Sequence, residues 1–307
     1  PEGFEALKGW LNKYNVQDLL NPDGSPKKNL LTFLPKGNLR VGMSKYAIGG
    51  NLLKDIKIPK LDKFAIKLKN RGEVLASSMK QGALMIRDIF KSSERDRNFR
   101  LFCPDEIESN LLHGIFEATK RAYVWPLPEN AEDISPDGRA MEVLSEHNLQ
   151  GWMQGYILTG RHGIFCSYEA FTMIIASMVD QYAKFLKQSM RVKWRKPLSS
   201  PIYIQSSVGW RQEHNGYSHQ NPGFVSNVLE KHGEFSQIFY PADANSFIVA
   251  LEESFKRKNG INVIVADKRN LPQWLSLDEA RKQAKTGIGV WDWATSVSSA
   301  KNPDVVL

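Results

Sequence analysis

From Phe99 to Ala266 the chain alternates short apolar runs with segments of helical period. The runs are Phe99–Cys103, Met141–Leu144, Ile164–Cys166, Ile202–Ile204, Gln237–Tyr240 and Asn262–Ala266. Between them, Ser145 to Leu158, Phe171 to Leu186, Phe224 to Glu230 and Ala244 to Phe255 carry apolar residues three and four apart. Ser109 to Arg121 reads as a further helix, and before the first run Leu75, Met79, Ala83, Ile86 and Phe90 line one helical face. Strands joined by helices of this length cannot be hairpins. They predict an α/β fold, a mostly parallel sheet with helices on both faces.

In such sheets ligands collect beyond the carboxyl ends of the strands. Ser145-Glu146, Cys166-Ser167-Tyr168 and Lys268 all fall at such ends. So does the loop Ser207-Val208-Gly209-Trp210-Arg211-Gln212-Glu213-His214-Asn215-Gly216-Tyr217-Ser218-His219-Gln220-Asn221-Pro222-Gly223. It has too few apolar residues to build core, and gathers two histidines, amides, a carboxylate and hydroxyls. A satisfied surface loop and a chemical site both fit these residue types. Zinc does not, because His214 and His219 are five apart without a cysteine or third ligand at metal spacing. Ser145-Glu146 at a helix start reads equally as a cap. Phe171 reads equally as core, and Lys268 alone reads as a solvated loop lysine.

The 307 residues, 42% hydrophobic and 24% charged, are enough for one large or two medium globular domains. The net charge of +8 is spread along the chain, without the basic stripe and interleaved aromatics of a nucleic-acid binder. Anionic small molecules account for it equally well. Cys103 and Cys166 suggest no disulfide framework and fit a reducing cytoplasm. No apolar run has membrane-span length. Asn21-Pro22-Asp23-Gly24 is a turn, and glycines interrupt the following stretch. Residues 1–60 read as a connecting segment. The opening at Pro1 and the strand-like close at Asp304-Val305-Val306-Leu307 suggest a piece of a longer protein.

The loop from Trp210 to Gly223 resembles the signature Trp-Arg-Gln-Asp/Glu-His-Asn-Gly-Phe/Tyr-Ser-His-Gln-Asp/Asn-Pro-Gly of phosphoketolases, which are thiamine-diphosphate enzymes related to transketolase. Leu101-Phe102-Cys103-Pro104-Asp105-Glu106 with Ser109-Asn110, Met141 to His147, Gln150-Gly151-Trp152, Thr159 to Gly163, Pro272 to Leu275 and Gly287 to Trp291 are similar to that family as well. The resemblance implies a linker from the preceding domain at 1–60, the middle domain at 61–295, which binds the cofactor's aminopyrimidine ring, and the start of the C-terminal domain at 296–307. The diphosphate and its Mg2+ would be held by a domain absent here, and the chain has no Gly-Asp-Gly motif.

It further implies cleavage of xylulose 5-phosphate, fructose 6-phosphate or both by inorganic phosphate, giving acetyl phosphate and an aldose phosphate. By the same resemblance Glu146 bonds the pyrimidine nitrogen. Tyr168 and Phe171 flank the ring, and His214 and His219 handle protons. Ser109, Tyr168, Gln212, Asn215 and Lys268 hold substrate or phosphate oxygens. A homodimer with a site shared between subunits is expected. Three positions depart from the pattern. Tyr46 replaces a histidine, Leu111 an arginine and Cys103 a glycine. They keep open a diverged, catalytically weak or non-catalytic paralogue.

Overall fold

The computed structural model describes residues 2–47, 51–104, 107–206, 218–231 and 234–295. They fall into two compact units, Pro1–Ile48 and Gly49–Leu307. In the first, helix α1 (Glu2–Asn12) and the short α2 (Lys28–Leu31) bury no residue. Gly24, at φ 81, closes the turn expected at Asn21-Pro22-Asp23-Gly24. A Cβ is strained there, so glycine is the natural occupant.

The second unit is built on a parallel sheet of eight strands. Its strands are β2 (Phe99–Cys103), β3 (Arg121–Ala122), β4 (Ile134–Ser135), β5 (Ala140–Glu142), β6 (His162–Ser167), β7 (Ile202–Gln205), β8 (Ser236–Phe239) and β9 (Ile261–Val265). They lie in the order β4-β3-β5-β2-β6-β7-β9-β8, every pairing parallel. The interior strands β6 and β7 are buried along their whole length, as strands covered on both faces must be.

Alternation along the strands sorts side chains into two cores. Leu101, Ile164, Ile202, Ile204 and Ile264 face α3 (Ser78–Ser92) and α8 (Ala244–Lys256). Phe102, Phe165, Tyr203 and Val263 face α4 (Glu146–Leu158), α6 (Ala176–Ser189) and α7 (Gly223–Leu229). A Cβ on Gly82 would stand 2.2 Å from Phe247 Cε1, so this glycine sets the approach of α3 to α8. Buried Asp243 caps α8 through the Ser246 amide at 2.9 Å. Its other oxygen accepts the Trp274 and Leu275 amides at 2.9 and 2.7 Å. A small clasp completes the unit. Strand β1 (Leu75–Ala76) pairs antiparallel with β10 (Leu271–Pro272), and α9 (Leu277–Thr286) follows.

Three local expectations change. The helix read over 109–121 is a 3-10 turn, His113–Glu117, and Arg121 already belongs to β3. Leu75 is 62% exposed in β1, so α3 and its buried face begin later, at Met79, Ala83, Ile86 and Phe90. The helix read from Phe171 to Leu186 is broken into α5 (Glu169–Thr172), a 3-10 turn Met173–Ile175, and α6. That break turns Ile174 and Phe185 partly outward, at 40% and 37% exposure. The expected helix start at Pro104-Asp105-Glu106 and the stretch 296–307 lie wholly or partly outside the described residues.

Candidate functional site

All eight strands run the same way, so their carboxyl ends share one edge. At its centre the ends of β2, β6, β7 and β9 are tied together. Ser167 pairs in register with Gln205. The Ser206 amide donates to the Ser167 carbonyl at 3.0 Å, and the Ala266 amide to the Gln205 carbonyl at 2.8 Å. From beyond β2, buried Asn110 donates to Cys103 Sγ at 3.6 Å and accepts the Ser206 hydroxyl. Gln205 Nε2 donates to Thr172 Oγ1 at 2.7 Å, which fixes α5 over the edge.

This edge holds several buried polar side chains, and not all of their atoms are paired. Ser167 Oγ, Gln205 Oε1 and Asp267 Oδ2 are buried without a hydrogen-bond partner among the described residues. The other Asp267 oxygen accepts the Arg269 amide at 2.7 Å. Buried polar atoms normally find partners, so three unpaired ones at neighbouring strand ends indicate capacity for further donors and acceptors.

Above them lies an aromatic cluster. Tyr168, the residue after β6, is buried. Its ring meets Phe171 edge-on at 5.8 Å and His219 at 5.0 Å, and Phe171 and His219 are 5.1 Å apart. Lys268 donates to the Tyr168 hydroxyl at 2.7 Å, with its ammonium 4.2 Å from the ring centroid. That contact includes a cation–π component. Ser218 Oγ lies 2.6 Å from His219 Nδ1. Buried Glu169 accepts the Asn221 amide at 3.1 Å and so braces the loop carrying His219 against α5.

The structure therefore brings together Tyr168, Phe171, His219 and Lys268. Lys268 is half-buried and bonded, unlike a solvated loop lysine, and Phe171 is half-buried rather than core. Glu146 stands apart. It opens α4 beyond β5, on the same edge but two strand positions from β6, and is half-buried. Ser145 makes no side-chain cap bond there, so the cap alternative for this pair is not realised. Ser109 is half-buried beside Asn110. His214, Gln212 and Asn215 lie outside the described residues. Leu111 packs against the α3–α8 core at φ 57 and brings no charge to the edge. Tyr46, in the first unit, is 47% exposed.

Sequence reading placed Ser167 at a strand end without giving it a role, and gave none to Gln205, Asn110, Ser206 or Asp267. A polar residue closing an apolar strand was the available signal at Ser167 and Gln205. Among the described residues no group of three or more His, Cys, Asp or Glu side chains is placed to hold a metal ion. None of the described helices is long and apolar enough to cross a membrane.

Comparison with known proteins places this geometry in context. Residues 80–257 match the family model of D-xylulose 5-phosphate/D-fructose 6-phosphate phosphoketolase. Residues 1–52 and 268–307 match the N-terminal and C-terminal domain models of the same family. The chain is 41% identical over 307 residues to a probable phosphoketolase of Rhizobium meliloti, and 42% identical over 308 residues to one of Nitrosomonas europaea. It is covered in full in both alignments but spans only 39% of either relative. Among solved structures, a transketolase from Pichia stipitis superposes on 74% of this chain and 31% of its own, with TM-score 0.55 and 17% identity. A transketolase from Leishmania mexicana covers 72% of this chain and 29% of its own, with TM-score 0.52 and 14% identity. Likeness at that identity concerns the fold.

Proposed function

The chain belongs to the D-xylulose 5-phosphate/D-fructose 6-phosphate phosphoketolase family, and from that premise we propose that it is the middle portion of a thiamine-diphosphate-dependent phosphoketolase. The reaction would cleave xylulose 5-phosphate, fructose 6-phosphate or both with inorganic phosphate, releasing acetyl phosphate and an aldose phosphate. The observation that carries this reading is the meeting of Tyr168, Phe171, His219 and Lys268 over the carboxyl edge. We read residues 1–60 as lead-in from the preceding domain, 61–295 as the pyrimidine-side domain and 296–307 as the start of the next. A homodimer in the cytoplasm, its site shared between subunits, completes the proposal. The diphosphate and Mg2+ would be held by a part of the parent protein outside this chain.

The residues present fit the cofactor's aminopyrimidine side. Tyr168 and Phe171 offer ring faces and edges, and the unpaired buried atoms of Ser167, Gln205 and Asp267 offer polar complements. Thiamine diphosphate would supply a nucleophilic carbon able to add to a ketose carbonyl and to take up the electrons of the broken carbon–carbon bond. Glu146 would hold a proton at the pyrimidine ring nitrogen. His219, oriented through Nδ1 by Ser218, would exchange protons at Nε2. The Lys268 ammonium and the Tyr168 hydroxyl would bind substrate or phosphate oxygens, with Ser109 beside them. His214, Gln212 and Asn215 are assigned to proton handling and oxygen binding on the resemblance alone.

A second reading, a diverged and catalytically weak family member, is favoured by Leu111. A leucine packed into core cannot hold the phosphate for which an arginine is expected there. One experiment addresses both readings. Full-length wild type and Glu146→Gln are assayed for acetyl phosphate with each ketose phosphate. The enzyme reading expects turnover by wild type and a loss of roughly 10²-fold or more in the variant, with folding intact. An inactive, folded wild type supports the second reading. A variant within a few-fold of wild type removes Glu146 from the chemistry.

A further inference from the structure

At the amino edge of the sheet, opposite the candidate site, the connection from α6 to β7 meets the connection from α8 to β9. Between them is a cavity of about 310 Å³, whose wall includes Ser189, Val192, Arg195, Lys196, Leu198 and Asn259. We propose that this cavity binds a small oxyanion, a phosphate or carboxylate group on a soluble ligand. The site is separate from the one at the carboxyl edge.

The wall is chemically one-sided. It carries two cations and no carboxylate. The Arg195 guanidinium lies over the Phe185 ring, 5.0 Å from its centroid. A guanidinium over an aromatic face keeps its charge and still has N–H groups to offer an acceptor. Its Nη2 has no hydrogen-bond partner among the described residues but is closed off from the cavity, so what Arg195 brings to the wall is its charge and the rest of its guanidinium. The neighbouring polar groups are already committed in a consistent sense. Ser189 donates its hydroxyl to the Leu186 carbonyl at 2.9 Å. Asn259 is held in the left-handed region at φ 53, which asparagine tolerates. Its amide oxygen accepts the Leu198 amide at 2.9 Å, and its backbone N–H donates to the Leu198 carbonyl at 2.9 Å. Its side-chain NH2 therefore remains as a donor.

Arg195, Lys196 and Asn259 thus present donors, and a ligand that complements them is rich in acceptors and negatively charged. The volume is that of a small-molecule pocket. Val192 and Leu198 leave an apolar side for the ligand's body. A bound ligand would link the entries of β7 and β9, two neighbouring strands of the sheet.

Hydrogen–deuterium exchange of the full-length protein tests this locally. Sodium phosphate and sodium malonate are compared separately with sodium chloride at equal ionic strength. Slower exchange in segments 189–198 and 257–260 is expected with at least one of the two. Phosphate alone identifies a phosphate-type ligand, malonate alone a carboxylate-type ligand. Arg195→Gln should weaken the effect about tenfold in ligand concentration. Lys196→Gln should weaken it less, and serves in its place if the first variant does not fold. Lys268→Met should leave protection here unchanged while removing any phosphate effect at the carboxyl edge, so the two sites are scored independently. No slowing with either anion, or slowing undiminished in the variants, overturns the proposal.

Discussion

Strand β6 begins at His162 and ends at Ser167, just before Tyr168, and the two ends treat their polar groups in opposite ways. At the amino end His162 is 2% exposed, and Nε2 bonds the Lys54 carbonyl at 2.8 Å. The same carbonyl also accepts from Asn98 Nδ2, and Asn98 in turn accepts the His162 amide. Burial holds the ring's pKa down to about 4, against an ordinary 6.5. At the carboxyl end the Ser167 hydroxyl is buried without a partner among the described residues, and half-exposed His219 leans on Tyr168 and Phe171. One histidine is closed into a completed hydrogen-bond set, whereas the other stands beside groups that a ligand could complete. A closed set contributes stability, and the proposed binding role falls to the other end of the same strand, so the comparison sets two histidines apart that residue type alone does not.

The largest expected effect lies at the open end. His219→Ala in the full-length protein should lower acetyl phosphate formation roughly 10²- to 10⁴-fold. Its urea midpoint should stay near that of wild type, because a half-exposed ring contributes little to folding. Turnover within a few-fold of wild type would make His219 a packing residue and dissolve the contrast. The closed end should respond in the reverse sense. His162→Ala removes a buried ring and strands a carbonyl, so chemical denaturation should show a loss of about 3 kcal/mol. Turnover per folded molecule should be unchanged.

A smaller effect sharpens the comparison by titration. The folded state holds the His162 pKa near 4, below its unfolded value. The unfolded chain therefore binds more protons between these values, and stability falls as pH drops from 6.5 towards 4. Above 6.5 the group contributes no pH dependence. At about 1.4 kcal/mol per pH unit, moving from pH 7 to pH 5 should cost wild type about 2 kcal/mol more than His162→Gln. Denaturation of both proteins at the two pH values measures the difference. Equal slopes would mean that the ring is not shielded as described.

The central strands were legible because they are short apolar runs bounded by turn residues, and α8 because its apolar period is unbroken. Strands β1, β3, β4 and β10 are two residues each and have no period to read. Helix α9 is mostly polar and escaped notice, although Ser276 and Glu279 form a capping box at its start. The break after Thr172 was hidden because its apolar residues keep helical spacing through a turn of another pitch. In the candidate site, the placing of Tyr168, Lys268 and Glu146 near strand ends followed from the alternation, whereas Phe171 read as part of a helix face. The contact of Lys268 with Tyr168 did not, since it joins residues 100 apart in sequence. The unpaired atoms of Ser167 and Gln205 were equally hidden, because a serine or glutamine ending a strand looks the same with or without a partner.

The β1–β10 clasp has a consequence for the order in which the unit can assemble. Gln273 reaches back to the Ala76 carbonyl, 197 residues earlier in the chain, and its amide bonds the Val74 carbonyl at 3.0 Å. The Gly72 amide closes the same knot from the other side, on the Gln273 carbonyl at 2.8 Å. A chain emerging from the ribosome cannot form this clasp until nearly the whole unit has been synthesised, and the entropy of closing so long a loop must be met when it does. Gln273 also accepts the Ala244 amide at the start of α8. The residues that follow the last sheet strand therefore fasten those that precede α3, and the points at which the chain enters and leaves this part of the body end up side by side.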